Sequence, residues 1–249
     1  DTRPKGASRQ IELNGETITI TGIAKGAGMI RPDMATMLAY VATDACCPSG
    51  YLQQILNRAV NKSFNRITVD GDTSTNDSLV LVATGQSGEV LSNDDNGERF
   101  AEAVEQVCIE LAQAIVRDGE GATKFVSVNV VGGVSVEECL KVAYTVADSP
   151  LVKTALFASD PNWGRILAAI GRAGVVDLDV NPIKVWLDEV LITEQGGRAT
   201  SYTEQAGQKV MDKDELTIRI DLARGSVSET VWTTDLSYDY IRINAEYRT

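Results

Sequence analysis

Two alternating stretches separated by two residues constrain this chain more than anything else in it. In Gln10-Ile11-Glu12-Leu13 and Glu16-Thr17-Ile18-Thr19-Ile20 apolar and polar residues alternate, with Asn14-Gly15 between them. A period of two turns one face of a strand inwards, and Asn-Gly supplies the two left-handed residues that a tight type I′ turn requires. The stretch therefore reads as a β-hairpin. A lone hairpin is marginal in water, so further strands and helices must cover its apolar face.

The remaining patterning supplies them. Phe100, Val104, Cys108, Leu111 and Ile115 share one helical face, in a helix expected to start at Asn96 or Gly97 and end at Gly119. Leu52, Ile55, Leu56, Ala59, Val60 and Phe64 mark another, with Ser49 as its expected cap. Ser135-Val136-Glu137-Glu138 has the Ser-x-x-Glu spacing of a capping box and opens a third. Leu79–Thr84, Phe125–Val131, Ile183–Ile192, Leu216–Leu222 and Tyr238–Ala245 read as strands. Strands alternate with helices early and dominate late, which describes an α+β chain with large mixed sheets. Its 249 residues suffice for one large or two small domains. A boundary is expected near Ala173-Gly174, dividing 36–173 from 174–249.

Composition then narrows the chemistry. There is no histidine, which removes Ser-His-Asp and Cys-His catalysis as ordinarily built and every His-ligated metal site. Acid–base work must fall to Asp, Glu, Lys, Tyr, Cys or a backbone amine. The net charge of −12 disfavours a duplex nucleic-acid binder, and no apolar run is long enough to span a membrane. The N-terminal residues lack a signal-peptide h-region. Cys46, Cys47, Cys108 and Cys139 do not carry the usual zinc spacing and are read as reduced, buried thiols in a cytoplasmic protein.

Five patches remain as candidates for chemistry. Thr21-Gly22-Ile23-Ala24-Lys25-Gly26-Ala27-Gly28-Met29-Ile30 is a glycine-rich turn holding one lysine, and it runs into Arg31-Pro32-Asp33-Met34-Ala35-Thr36-Met37-Leu38. By its glycines alone it is a tight turn or an anion cradle. Thr36 adds a third reading. A threonine can be a nucleophile without histidine when its own free α-amine is the base, and that amine titrates near neutrality, at about 7.7–8.0. Here Thr36 is internal, so this route requires attack of its hydroxyl on the Ala35 carbonyl and hydrolysis of the resulting ester. Asp70-Gly71-Asp72-Thr73-Ser74-Thr75-Asn76-Asp77 looks like a cation loop but lacks the closing Glu; we read it as a turn satisfied by Asx and hydroxyl side chains, and assign no metal. Asn162-Trp163-Gly164-Arg165 reads as a loop anchor near the site.

The segment Gly22–Leu38 closely resembles the self-cleavage segment of the glutamate N-acetyltransferase/ornithine acetyltransferase family of arginine biosynthesis. So do Asp70–Asp77, Gly119-Glu120-Gly121-Ala122-Thr123-Lys124, Asp160-Pro161-Asn162-Trp163-Gly164-Arg165-Ile166, and the terminal Ile243-Asn244-Ala245-Glu246-Tyr247-Arg248-Thr249. Five ordered motifs, from the first hairpin to the last residue, make the resemblance specific.

The resemblance implies stacked mixed sheets flanked by helices, a self-processing N-terminal-threonine nucleophile and a smaller C-terminal domain. It implies cleavage between Ala35 and Thr36, leaving 1–35 as the end of an α chain and 36–249 as a β chain, the two paired again in a heterotetramer. Thr36 then carries the acetyl group from N-acetyl-L-ornithine to L-glutamate, with acetyl-CoA as a second donor in many members and no cofactor. Lys25, Thr36, Glu120, Asn244 and Thr249 match the family's substrate-contacting positions. Family precursors begin well before the residue numbered 1 here, and that part carries a Thr-Gly oxyanion site and another substrate-contacting Thr. The chain is thus expected to be a portion of a longer protein. Losing one oxyanion donor costs roughly 10²–10³ in kcat, so the residues present would be poorly active alone. Two other classes compete: a hydrolase with the same nucleophile (an aminopeptidase or amidase), which would act without an amine acceptor, and a non-enzymatic anion-binding module, which would not need Thr36.

Overall fold

The structure is a computed structural model that describes residues 1–31, 37–73, 76–88 and 90–247. The chain forms two compact units, one of Asp1–Ile67 with Gly71–Gly119, the other of Thr68–Asp70 with Glu120–Thr249. Ala173 and Gly174 lie inside the second.

The first unit is built on the hairpin. β1 (Lys5–Leu13) and β2 (Glu16–Lys25) pair antiparallel in unbroken register from Lys5↔Ala24 to Leu13↔Glu16. Asn14 and Gly15 both have positive φ, 50° and 88°, as the Asn-Gly signal requires. β3 (Leu38–Thr43) joins β2 antiparallel, and β4 (Ser78–Ala83) joins β3 parallel. The order is β1-β2-β3-β4. Parallel neighbours need a long crossover, here supplied by α1 (Ser49–Lys62) and the loop after it.

α1 and α2 (Asp95–Arg117) pack together, and α2 lies across β1 and β2. Ile18, Ile20 and Val41 of the strands and Phe100, Val104 and Leu111 of α2 are all buried. The alternation expected of a half-buried sheet holds in β3, where Ala39, Val41 and Thr43 are buried and Tyr40 is 52% exposed. α2 follows the predicted face, but it starts earlier. Asp94 is the cap, its carboxylate accepting from Gly97 N–H at 3.0 Å, because an acceptor there satisfies an otherwise orphaned amide. α1 likewise is preceded by Pro48, with Ser49 its first residue rather than its cap.

One buried ion pair ties the ends of this unit together. Lys5 Nζ meets Asp118 Oδ2 at 2.6 Å, with 1% and 2% of the two side chains exposed. Thr2 donates its backbone N–H and its hydroxyl to the same carboxylate. Lys5 also pairs with Asp1.

The second unit has a six-stranded sheet in the order β10-β5-β9-β6-β7-β8. Its strands are β5 (Phe125–Gly133), β6 (Lys184–Leu187), β7 (Val190–Glu194), β8 (Gly197–Arg198), β9 (Glu215–Asp221) and β10 (Val227–Thr234). β5 and β9 are parallel and the other pairs antiparallel. Thr68 N–H donates to Trp232 O at 2.9 Å, which attaches the 68–70 segment to β10. α3 (Val136–Ala147) covers β5 and β10, and α4 (Pro150–Phe157) and α5 (Trp163–Gly171) pack on it. Ser135 caps α3 as expected, while Glu138 reaches back to the Val134 amide at 2.7 Å, one residue earlier than the usual box.

Two expected strands are corrected. Ile183–Ile192 is not one strand but the β6–β7 hairpin, turning at Asp188, whose φ is 48°. Tyr238–Ala245 is not a strand but α7 (Tyr238–Glu246), which Ser237 starts by accepting from Tyr240 N–H. α6 (Glu204–Met211) completes the unit. The Cys assignment also changes: Cys108 and Cys139 are buried, but Cys46 and Cys47 are half-buried; all four thiols are free. Among the described residues, no helix is long and apolar enough to cross a membrane. The observed class is α+β, mixed sheets flanked by helices.

Burial pushes the Asp118 carboxyl up, but Lys5, Thr2 and Arg3 more than offset it and hold it at about 2. A carboxyl depressed in the folded state adds stability above its unfolded pKa, near 3.8, and loses it as pH falls towards 2. Asp118→Asn should therefore cost about 3 kcal/mol at pH 7. Urea melts of parent and variant should show that gap closing between about pH 4 and pH 2.

Candidate active site

The residues singled out by the motifs fall into two groups, one in each unit. The first surrounds Met37, which follows Thr36 in the chain. Ala35 and Thr36 themselves lie outside the described residues, as does Thr249. Met37 is 1% exposed, and its backbone is held on both sides. Its N–H donates to the Asp77 carboxylate, and its carbonyl accepts from Ser78 N–H at 3.0 Å. β3 starts at the next residue, with Leu38 opposite Lys25 of β2 and beside Ser78 of β4. The position of Met37 is set by strand register: antiparallel pairing brings Lys25, at the end of β2, to the start of β3, and parallel pairing brings the end of the Asp-rich loop there too.

Asp77 was read from sequence only as a turn residue. Its Oδ1 takes the Met37 amide, while Oδ2 is buried and has no hydrogen-bond partner among the described residues. Burial pushes this carboxyl up to about 6, against the opposing pull of the Met37 N–H and the Lys25 ammonium. The same loop reaches the other side of residues 32–36, where the Thr73 hydroxyl donates to Arg31 O at 3.1 Å. Gly26 N–H, next to Lys25, donates to the Asp1 carboxylate at 3.0 Å.

The second group lies on the 119–124 loop and α7. Asn244 Nδ2 donates to Glu120 Oε2 at 2.9 Å and to Tyr240 O at 3.0 Å, so two of the predicted site residues meet across 124 positions of sequence. The loop that carries Glu120 is fixed by the segment leading into α7. The Asp235 carboxylate accepts from the Thr123 N–H, the Thr123 hydroxyl and the Lys124 N–H, at 2.7 to 2.9 Å. The Ser237 hydroxyl donates to Gly121 O at 2.7 Å. Gly121 has φ +69°, and a Cβ on it would stand 2.5 Å from Tyr240 N and 2.6 Å from Ser237 Oγ. Only glycine allows the loop to lie this close to the first turn of α7. The Tyr240 hydroxyl donates to Asp70 Oδ2 at 3.3 Å, which ties α7 to the Asp-rich motif as well.

Below this loop sits a buried lysine that the sequence did not single out. Lys153 Nζ donates to the Thr233 hydroxyl at 3.0 Å and to Thr234 O, joining α4 to the end of β10. Burial pulls its ammonium down to about 8, although Asp148, Asp235 and Asp70 all favour the charged form.

The other motifs are structural. Asn162 caps α5, its side chain accepting from Arg165 N–H at 3.2 Å, and Arg165 donates to Leu151 O at 2.8 Å. Among the described residues, no group of three or more Cys, Asp or Glu side chains is arranged to hold a metal ion. Thus the structure joins Glu120 with Asn244, and Lys25 with Asp77 and Met37. The missed residues, Asp77, Lys153, Asp235, Ser237 and Tyr240, all act through hydrogen bonds. Ser237 alone had a sequence signal, a hydroxyl immediately before a run of helix-compatible residues.

Mixed sheets layered with helices, and carboxylates presented at loop–strand and loop–helix junctions, define an α+β protein whose polar machinery uses neither histidine nor a thiol. The ArgJ family model matches residues 1–249, and the chain belongs to that family. It is 64% identical over 252 aligned positions to the arginine biosynthesis bifunctional protein ArgJ of Pseudomonas fluorescens and 63% identical to that of Pseudomonas syringae pv. tomato. Each match takes in 100% of this chain and 62% of the relative, so the chain spans less than two thirds of their length. A crystal structure of the arginine biosynthesis bifunctional protein ArgJ from Bacillus halodurans superposes with a TM-score of 0.81 at 40% identity, covering 85% of this chain and 100% of that one.

Gly121→Ala should push the first turn of α7 off the loop and separate Asn244 from Glu120. Hydrogen exchange over 238–246 should rise while β5 and β9 stay protected. Unchanged exchange in α7 would show that the close approach is dispensable.

Proposed function

We propose that this chain is the part of an acetyltransferase that carries its nucleophile, moving the acetyl group of N-acetyl-L-ornithine to L-glutamate. The observation that carries this reading is the Glu120–Asn244 pair, which joins two family-matched positions far apart in sequence. Family membership over every residue and the names of the relatives support it.

The reaction runs in two stages. In processing, the Thr36 hydroxyl attacks the Ala35 carbonyl, the amide bond becomes an ester, and water opens it. The α chain then ends in the Ala35 carboxylate, and Thr36 gains a free amine. In turnover, that amine takes the Thr36 hydroxyl proton as Oγ attacks the acetyl carbonyl of N-acetylornithine, and returns it to the departing amine of ornithine. Glutamate's amine attacks the acetyl ester, which gives N-acetylglutamate and restores the hydroxyl. A near-neutral amine suits this shuttle, and the chain has no imidazole to replace it.

The other positions have matching chemistry. Lys25 places a cation near a substrate carboxylate or the developing oxyanion. Glu120 holds the cationic amine of ornithine, oriented by Asn244; Thr249 contributes a hydroxyl from the chain end. The reaction draws its acid–base groups from the chain and requires no cofactor, and acetyl-CoA serves as a second acetyl donor. The α and β chains remain together and pair as a heterotetramer in the cytoplasm.

The test uses the complete cut protein with N-acetylornithine and glutamate. Ornithine should appear with equimolar N-acetylglutamate. Acetate released at the same rate without glutamate would mark a hydrolase instead. Thr36→Ala should leave one uncut mass and form no ornithine. Glu120→Gln should raise KM for N-acetylornithine about tenfold or more, as loss of a charged hydrogen bond does.

A further inference from the structure

We propose that Lys153 is a positioning residue for the Glu120–Asn244 pair: it fixes the backbone on both sides of Asp235, and Asp235 together with Ser237 sets where Glu120 stands. The inference rests on the reading of Glu120 as the group that holds the substrate's cationic amine, and deepens it by naming what keeps Glu120 in place.

Lys153 lies on α4 and is 3% exposed. Its side chain and its main chain grip the same short segment. Nζ donates to Thr234 O and, at 3.0 Å, to the Thr233 hydroxyl, while the Lys153 carbonyl accepts from Leu236 N–H at 3.2 Å. A peptide group is planar, so the course of a residue is set by the two planes that flank it. Thr234 O lies in the plane before Asp235 and Leu236 N–H in the plane after it, so both planes around Asp235 are tied to one residue. The Asp235 carboxylate is then aimed at the 123–124 backbone, where it takes the Thr123 N–H, the Thr123 hydroxyl and the Lys124 N–H. Ser237, one residue past Leu236, donates to Gly121 O and accepts the Tyr240 amide that starts α7. Glu120 is therefore next to a pinned residue, and its partner Asn244 sits on the helix that the same segment starts.

A buried ammonium is a poor way to gain stability. It gives up its hydration, and an apolar side chain of similar volume is often as stable in its place. Burial pulls this one down to about 8, while Asp148, Asp235 and Asp70 favour its charged form. What the ammonium supplies, and an apolar chain does not, is direction: several donors on one nitrogen, held by two acceptors on adjacent residues at the end of β10. Without them the Thr234 carbonyl loses its charged donor, and the peptide plane ahead of Asp235 is free to turn. The carboxylate of Asp235 turns with it, and the loop that carries Glu120 loses its anchor. Lys153 takes no part in bond making and acts through Glu120.

The test uses the complete cut protein, with kcat measured per cut chain. Lys153→Met keeps the length of the side chain and removes the charge and the donors. It should raise KM for N-acetylornithine about threefold to tenfold and leave kcat within about twofold. Deuterium uptake over 119–124 and 238–246 should rise severalfold while β9 stays protected. Added to Glu120→Gln, Lys153→Met should change KM by no more than about twofold, because a residue that acts through Glu120 has nothing left to position once that carboxylate is gone. Thr233→Val removes one of the two acceptors and keeps the side-chain shape. It carries the test if Lys153→Met does not fold, with KM raised about twofold to fivefold. The inference is overturned if the folded variant has the parent's KM or the parent's uptake over 119–124, if its loss lies in kcat alone, or if the KM effects of Lys153→Met and Glu120→Gln multiply, as two unconnected changes would. Glu120→Gln with the parent's KM would sink the reading of Glu120 and this inference with it; a raised KM there beside an indifferent Lys153 sinks this inference alone.

Discussion

The pairing of β3 between an antiparallel and a parallel neighbour is the constraint on which the rest depends. The nucleophile proposed at Thr36 would sit at a chain end, and chain ends fray unless something holds the next residue. Met37 is buried and hydrogen-bonded through both its N–H and its C=O to the 77–78 segment. β2 brings Lys25 opposite Leu38, and β4 brings Asp77 and Ser78 beside the same point. Sheet register, which a slip of one residue would invert, thus sets where Lys25, Met37 and Asp77 meet.

The second unit achieves the same end by different means. Glu120 lies on a loop whose backbone is tied down by Asp235 and Ser237, and α7 has its own Asn244 bonded back to Glu120. α7 has no buried residue, so apolar packing does little to hold it. Its position rests on polar contacts and on the bare Cα of Gly121, which makes the loop and the helix one structural element.

How much of this was legible in the sequence depended on how local the cause is. The hairpin was readable because Asn14-Gly15 and the flanking alternation act within a dozen residues. The face of α2 was readable because Phe100, Val104, Cys108, Leu111 and Ile115 all point into one core. α7 was misread as a strand because it buries no face, so nothing imposes a 3.6-residue period on it; the cap at Ser237 was the better signal. The β6–β7 turn was missed because Asp188-Glu189 is not a glycine turn, and Asp188 pays for its positive φ by accepting from Thr217 N–H at 2.8 Å. Among site residues, Lys25, Glu120 and Asn244 came from motif resemblance. The Met37–Asp77 contact came from neither pattern nor motif, since it exists only once β3 and β4 are known to be parallel.

We propose that a single threonine hydroxyl, that of Thr36, carries the acetyl group in transit. The most direct measurement stops the cut protein in acid while it works on N-acetylornithine without an acceptor, and sequences the peptide that begins Thr36-Met37-Leu38. The account predicts one acetyl group on the Thr36 side-chain oxygen, discharged when glutamate is added before the acid. Ornithine formed at full rate from a peptide that never carries acetyl would contradict it.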